Sequence, residues 1–192
     1  MNTPAHAILN LLVFKRSQEH NAPILIGALL PDSPMFIFYF VEKFIRNMPE
    51  NTIWAHAYYN PHWQDFFDIF NSFPIIGLLF VIALWIKNNW LQLLCKSMAL
   101  HCIFDLPLHH DDGHRHFFPL THWRFSSPIS YWDPNHYGQI FGLFEAALVI
   151  IGSVILFRIH TSKVWRVSIA ILIMIYIAYL IFALFFWSDL VA

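Results

Sequence analysis

The stretch Val167–Trp187 is an unbroken apolar run of the length that a lipid bilayer requires, and Gln139–Phe157 is a second long apolar run. A helix needs about 20 mostly apolar residues to cross the hydrocarbon core. The composition agrees, because 58% of the 192 residues are hydrophobic and only 12% are charged, whereas roughly a quarter are charged in soluble domains. We therefore predict an all-α fold, a polytopic membrane helical bundle that forms a single integral-membrane domain over residues 1–192.

Shorter apolar segments precede these runs. Thr3–Phe14, about Ala22–Leu30 and about Pro34–Arg46 are each close to a dozen residues long, or roughly 18 Å as helices, against a hydrocarbon core of about 30 Å. We expect half-membrane or re-entrant helices here, with a turn at Lys15–Arg16. Two further helices are predicted over Phe73–Ile86 and Trp90–Leu106. Residues 1–137 would then carry the candidate site and its loops, and residues 138–192 would form two transmembrane helices.

Residues 47–71 differ in character, being aromatic and polar. Their rings are typical of an interfacial aromatic belt or of a cavity mouth; they include Trp54, Tyr58, Tyr59 and Trp63.

Charge indicates the orientation and excludes one class of partner. The short loop between the last two runs holds Arg158, Lys163 and Arg166 and no acidic residue, which favours a cytoplasmic position. The loop His109–Tyr137 then lies on the opposite side of the membrane. We expect this membrane to be the bacterial inner (cytoplasmic) membrane. The net charge of −1 is too small to attract nucleic acid, so we expect no nucleic-acid partner. Cys95 and Cys102 are too far apart along one helix to form a disulfide.

The stretch Ala99–Pro119 contains most of the candidate chemistry. His101 and Asp105 are four residues apart, so a helix places them on one face, one turn apart. An imidazole and a carboxylate suit Zn²⁺ or another transition metal, although such a pair also occurs as an internal hydrogen bond or a cap.

Two N-terminal residues can reach the same end of the bundle. His6 lies in the first turn of the first helix. If the second helix runs back antiparallel to the first, Asp32 at its end lies at the same depth as His6. The alternatives are a polar group at a helix mouth for His6 and an N-cap for Asp32. Convergence of His6, Asp32, His101 and Asp105 predicts a divalent-metal site, with Zn²⁺ the expected ion.

Other polar residues are candidates for supporting roles. Candidate bases, or residues that support the ligands, are Asp65, Asp68 and Glu145; Glu145 alternatively pairs or snorkels near a helix end. A substrate-facing rim is predicted for the loop residues His109, His110, Asp111, Asp112, His114, Arg115, His116 and Arg124. Arg115 and Arg124 could bind an anionic headgroup, or could simply snorkel at the interface.

Three blocks carry a family resemblance: TPAHAILN near the N-terminus, GALLPDSP at Gly27–Pro34 and HCIFDLPLHHDDGHRHFFP at His101–Pro119. They resemble the bacterial membrane-bound metal-dependent hydrolases, the family whose best-known member is regulated by LexA. The resemblance implies that His6, Asp32, His101 and Asp105 are metal ligands. The chain departs from the family in the middle block, where Asn71-Ser72 stands in place of a histidine-serine. A more distant similarity in ligand style is to zinc-dependent phospholipase C.

The chemistry and the resemblance together predict a hydrolase acting on an amphiphilic ester or phosphoester, such as a phospholipid or a prenyl phosphate. One alternative is a non-catalytic membrane protein that binds metal for transport, sensing or complex assembly. Another is a structural bundle in which the four candidate ligands are scattered. Nothing in the sequence indicates the oligomeric state.

Overall fold

The computed structural model describes residues 1–14 and 21–191, and the side chains of these residues as far as Phe182. Every regular element among them is helical, which confirms the predicted all-α class. The predicted turn at Lys15–Arg16 lies outside the described residues.

Nine α-helices follow one another along the described chain. They are α1 (Thr3–Phe14), α2 (Asn21–Leu29), α3 (Ser33–Phe40), α4 (Glu50–Thr52), α5 (Pro61–Phe70), α6 (Phe73–Trp85), α7 (Asn89–Asp105), α8 (Gly138–Ile159) and α9 (Lys163–Val191). A π-helical turn extends α3 over Val41–Ile45, and another follows α4 over Ile53–Ala57. Residues 106–137 form a long connection that contains two short 3₁₀ turns.

Four helical segments are long and apolar enough to cross a membrane. They are Pro61–Trp85, Asn89–Leu108, Gly138–Ile159 and Lys163–Phe182. The helices α2 and α3 form a fifth candidate that is bent by 49° between Leu29 and Ser33, and α1 is apolar but shorter. The bent pair has the form of either a broken span or a re-entrant loop, as the two short apolar segments predicted.

The segment 47–71, whose rings were predicted to form an interfacial belt, is largely helical. Asn60 caps α5 by accepting a hydrogen bond from the His62 amide at 3.0 Å, and Pro61 occupies the first turn. Three of the predicted belt residues, Trp54, Tyr58 and Trp63, pack edge-to-face against the fully buried Phe38. Trp54 and Tyr59 remain half exposed, as a belt predicts.

The helices enclose three apolar cores. One lies between α1, α2, α8 and α9 and includes Ile8, Ile24, Val149 and Tyr176. A second lies between α6 and α7 and includes both cysteines, which are free thiols, as predicted from their spacing. The third packs around the buried Phe38 of α3. Because α2 packs against both α1 and α7, the start of α1, the α2–α3 turn and the end of α7 lie together.

Candidate metal centre

The centre is built where α1, the α2–α3 turn and the C-terminal end of α7 meet. His6 comes from the first turns of α1, Asp32 from the turn between α2 and α3, and His101 from α7. Ligand atoms of these three residues all lie within 4.8 Å of one another. Both histidines are completely buried, whereas the side chain of Asp32 is 19% exposed. The structure thus brings three of the four candidate ligands into one group, with its open side at Asp32.

Asp105 lies beneath this trio, one helical turn after His101. Its Oδ1 is 2.9 Å from Nε2 of His6, and its Oδ2 is 3.0 Å from Nε2 of His101. The amino group of Met1 lies 2.6 Å from Oδ1. Only 2% of the Asp105 side chain is exposed. All four candidate ligands are therefore in one connected cluster, and they are not scattered as a purely structural bundle would have them.

The hydrogen bond of His101 to the backbone decides which of its nitrogens is free. Nδ1 lies 2.8 Å from the carbonyl oxygen of Ala28. Because a carbonyl can only accept, Nδ1 carries the hydrogen, and in the neutral ring Nε2 has a lone pair. This Nε2 has no well-oriented hydrogen bond among the described residues, yet it lies 3.4 Å from Oδ1 of Asp32 and 3.0 Å from Oδ2 of Asp105. Three acceptors that face one another require a cation between them, either a proton or a metal ion.

His6 supplies a second imidazole to the same point. Its ring stacks on that of His101 with centroids 3.5 Å apart and planes 14° apart. Its Nδ1 is buried and has no hydrogen-bond partner within the described part of the chain. Two imidazoles with free nitrogens and two carboxylates are a donor set that suits Zn²⁺ and similar transition metals. The residues present therefore fit a divalent metal.

Asp32 does not cap α3. Although it occupies the N-cap position, its side chain makes no capping hydrogen bond. Instead its Oδ2 accepts a hydrogen bond of 2.5 Å from the hydroxyl of Thr3, and Oδ1 faces His101. The capping interpretation is wrong here because Thr3 and His101 compete for the carboxylate.

A buried polar group holds the three elements in register behind the site. Ser97 lies one turn before His101 and donates a hydrogen bond of 2.6 Å to the carbonyl of Ile24 in α2. The side-chain amide of Asn10 in α1 donates to both the hydroxyl and the carbonyl of Ser97 at 2.8 Å. These bonds fix α1 and α2 against α7 and so position the ligands.

His109 and Asp112 form a dyad beside the trio. Nε2 of His109 is 3.5 Å from Oδ1 of Asp105, and its Nδ1 is 3.0 Å from Oδ2 of Asp112. The indole N–H of Trp132 donates to the same Asp112 oxygen at 2.9 Å. Burial and the charge of the Met1 amino group lower the pKa of His109, but Asp105 and Asp112 outweigh them and raise it to about 9. Burial raises the pKa of Asp112, while His109 and Trp132 outweigh this and lower it to about 2.

The other loop residues divide between different places. His110 lies 2.6 Å from the carbonyl of Ser127 and stacks on His136, and Asp111 is exposed. His114 and His116 are buried away from solvent, with His114 3.6 Å from Asp68. The predicted rim thus contains two partly exposed and two buried histidines, and His109 is the one that reaches Asp105.

The candidate bases form separate groups. Both Asp65 and Asp68 pair with the guanidinium of Arg115, and the backbone amide of Arg115 also donates to Asp68 at 3.0 Å. These contacts fasten the long connection to α5. Arg124 donates to the amide oxygen of Gln64 at 2.8 Å.

Glu145 is 3% exposed and lies on α8. Its carboxylate accepts hydrogen bonds from the backbone and side chain of Asn2 at 3.1 and 2.6 Å, and from the hydroxyl of Tyr176 at 3.0 Å. It therefore ties the start of α1 to α8 and α9, which agrees with the pairing alternative.

Asn71 is the residue at which the sequence departs from the histidine that the resemblance predicts. It is 1% exposed, and its side-chain amide donates to the carbonyls of Pro31 and Phe67, each at 3.1 Å. Its own carbonyl lies 2.9 Å from Nδ1 of His116. Asn71 thus holds the backbone next to Asp32, a supporting role that the sequence motif did not reveal.

The sequence alone does not identify the His109–Asp112 dyad or the Asn10–Ser97 pair. The spacing of three residues between His109 and Asp112 is a signal for the dyad, but adjacent histidines and aspartates allow several equivalent pairings. Comparison of the chain with protein-family models, with curated proteins and with solved structures gave no match.

Proposed function

We propose that the chain is a polytopic protein of a bacterial cytoplasmic membrane that binds a divalent metal, with Zn²⁺ the expected ion, and hydrolyses an amphiphilic ester or phosphoester. The membrane part is supported by the four long apolar helices and by the large exposed apolar side chains along them. The observation that carries the metal part is the convergence of His6, Asp32 and His101.

The ligands would be His6, Asp32 and His101, with Asp105 either joining them or orienting the two imidazoles. A divalent metal bound there supplies Lewis acidity, which makes water a nucleophile near neutral pH and polarises a phosphoryl or carbonyl oxygen. The Ala28 carbonyl holds His101 with Nε2 toward the site, the kind of support that orients ligating histidines. Thr3 similarly fixes one oxygen of Asp32 and leaves the other facing inward.

His109 is positioned to move a proton. Its Nε2 faces Asp105, and Asp112 lies against its Nδ1. A carboxylate behind an imidazole fixes the ring and favours its protonated form, so Nε2 can donate a proton to the leaving group and then take one back from water. In this proposal Asp112 and Trp132 act only by positioning His109.

Substrate would approach from the side of Asp32, the one partly exposed member of the trio. The site lies at the ends of apolar helices, so a molecule with its apolar tail in the bilayer would present its polar group there. This location favours a phospholipid or a prenyl phosphate.

A non-catalytic metal-binding protein is the second candidate. The complete burial of His6 and His101 favours it, as does the hydrogen-bonded Asn71 in place of a histidine. In that case the metal would link α1, α2 and α7, and the protein would serve transport, sensing or assembly.

Metal analysis of the protein purified in detergent tests the site. We expect the wild type to hold close to one transition-metal ion per chain, and His101→Ala and Asp32→Asn to lose most of it. The matched control is His62→Ala, which removes an exposed histidine from α5. A wild type that holds no stoichiometric metal after growth with Zn²⁺, or variants that retain it fully, would overturn the metal site.

Turnover separates the two candidates. Release of phosphate or of alcohol from phospholipid and prenyl-phosphate substrates is measured for the wild type and for His109→Gln. A hydrolase predicts turnover that falls by about 100-fold or more in His109→Gln, in the range of general acid–base catalysis, with metal content unchanged. Metal retention with no turnover in the wild type contradicts the hydrolase and supports the non-catalytic protein.

A further inference from the structure

A groove lies between α8 and α9. It encloses about 480 Å³, within the size range of small-molecule sites, which is roughly 300–1,000 Å³. Its walls are apolar and include Val149, Phe157, Ile173 and Leu180. Arg158, at its end, follows Glu145 by 13 residues, or about 20 Å along a helix axis. One end of the groove therefore lies beside Glu145, whose hydrogen-bond partner Tyr176 lines it, and the end at Arg158 is remote from the place where Asn2 and Glu145 meet.

Two polar groups in the groove lack partners within the described part of the chain. Ser153 is 2% exposed and lines the groove, but its hydroxyl makes no hydrogen bond there. Arg158, the charged residue in the lining, forms no ion pair with any described acidic residue. A hydroxyl buried among apolar side chains normally finds a partner, so the groove offers one donor inside and one cation at its end.

Positive charge is concentrated at the same end. The guanidinium of Arg166 lies 5.2 Å above the ring of Phe157, which is part of the groove wall. Lys163 lies in the same turn, and the stretch 158–166 contains no acidic residue. An apolar groove with this end suits a ligand that has a hydrocarbon chain and a negatively charged head.

We infer that the α8–α9 groove binds one anionic phospholipid, with an acyl chain between the helices and the phosphate at Arg158. Guanidinium binds phosphate through parallel hydrogen bonds, and basic groups beside a membrane helix attract anionic lipids. The hydroxyl of Ser153 would donate to an ester oxygen of the lipid. This inference rests on the membrane part of the proposed function and is independent of the metal and of hydrolysis.

The test is lipid retention by the full chain. Protein is reconstituted in vesicles of equal phosphatidylglycerol and phosphatidylcholine and extracted in mild detergent, and its retained lipids are quantified by mass spectrometry. We expect the wild type to enrich phosphatidylglycerol over phosphatidylcholine. Arg158→Gln should return the ratio to that of the vesicles, and Ser153→Leu, which fills the groove, should reduce retention of both lipids.

Lys87→Gln is the matched control, because it removes an exposed cation from the α6–α7 turn. Lipid retention in this variant should equal that of the wild type. The inference is overturned if the wild type retains the two lipids in the vesicle ratio, if Arg158→Gln and Lys87→Gln behave alike, or if well-folded Ser153→Leu retains lipid fully. Circular dichroism and melting curves establish the folding of each variant.

Failure of this inference can be distinguished from failure of the proposed function. Wild-type protein that holds metal and inserts into vesicles, but does not enrich the anionic lipid, overturns the lipid site alone. Protein that remains soluble without detergent overturns the membrane proposal itself.

Discussion

At Asp32 two roles compete for one carboxylate. The residue precedes a helix and a proline, a position where an aspartate commonly caps. Its oxygens nevertheless contact Thr3 and His101, which come from α1 and α7. Local sequence predicts the cap because capping partners are neighbours in the chain, whereas the observed partners are 29 and 69 residues away.

A single residue, His116, makes the folding stability of the protein depend on pH. Burial, followed by the charge of His114, holds the pKa of His116 at about 4, below its ordinary value of 6.5. An unfolded chain takes up this proton near pH 6.5, and the folded protein resists it until about pH 4. Stability from this group is therefore complete above pH 6.5 and is lost as the pH falls toward 4, by up to about 3 kcal/mol at about 1.4 kcal/mol per pKa unit.

Melting temperatures of the detergent-solubilised protein between about pH 7 and pH 4 measure this effect. The His116→Gln variant does not titrate at this position, and its amide can still donate to the Asn71 carbonyl. Its melting temperature should fall less steeply with acid than that of the wild type. Equal slopes for the two proteins would show that His116 does not carry the effect. Asp105 and His109 also bear on the pKa of His116 and are unchanged in both.

At the scale of the elements, Gly27 lies at a close contact between α2 and α7. A Cβ atom there would lie 2.4 Å from the carbonyl oxygen of Leu94 and 2.8 Å from Cβ of Ser97. The helices can meet at this point only because the side chain is a hydrogen atom. The GALLPDSP block therefore has a packing role in addition to its aspartate.

Gly27→Ala should destabilise the protein by about 2–3 kcal/mol, because the added methyl group meets backbone that cannot move without separating the helices. Gly77→Ala in α6 is the matched control, since a Cβ atom there meets no described atom within 4 Å. This control should be neutral, or stabilising by up to about 1 kcal/mol through helix propensity. The two variants are compared by thermal unfolding. Similar effects at both positions would contradict the close approach.

For the whole molecule, the proposed metal would act as a clamp on three elements. His6, Asp32 and His101 come from α1, the α2–α3 turn and α7, so an ion bound to all three stabilises the folded state relative to the unfolded chain. Binding at 100 times the dissociation constant adds about 2.7 kcal/mol. Added Zn²⁺ should raise the melting temperature of metal-stripped wild type and of His62→Ala, and leave that of His101→Ala unchanged. An equal rise in all three proteins would indicate nonspecific binding.

The sequence by itself determined the helical class, the long apolar runs and the one-turn spacing of His101 and Asp105. These features depend on composition and on helical periodicity, which act over a few residues. It also indicated that His6 and Asp32 could reach the same end of the bundle.

Only the tertiary structure decided which polar residues meet. Hydrogen bonds of Asn10, Ser97 and Ala28 set the register of α1, α2 and α7. This register brings Nε2 of His6 to Asp105, and Nε2 of His101 to both Asp32 and Asp105. The tertiary structure also pairs Asp68 with Arg115 and Glu145 with Asn2. From the sequence, either carboxylate was an equally good candidate for a base at the metal centre. The reason is physical: a buried carboxylate takes the donor that packing brings to it, and that donor comes from a distant part of the chain.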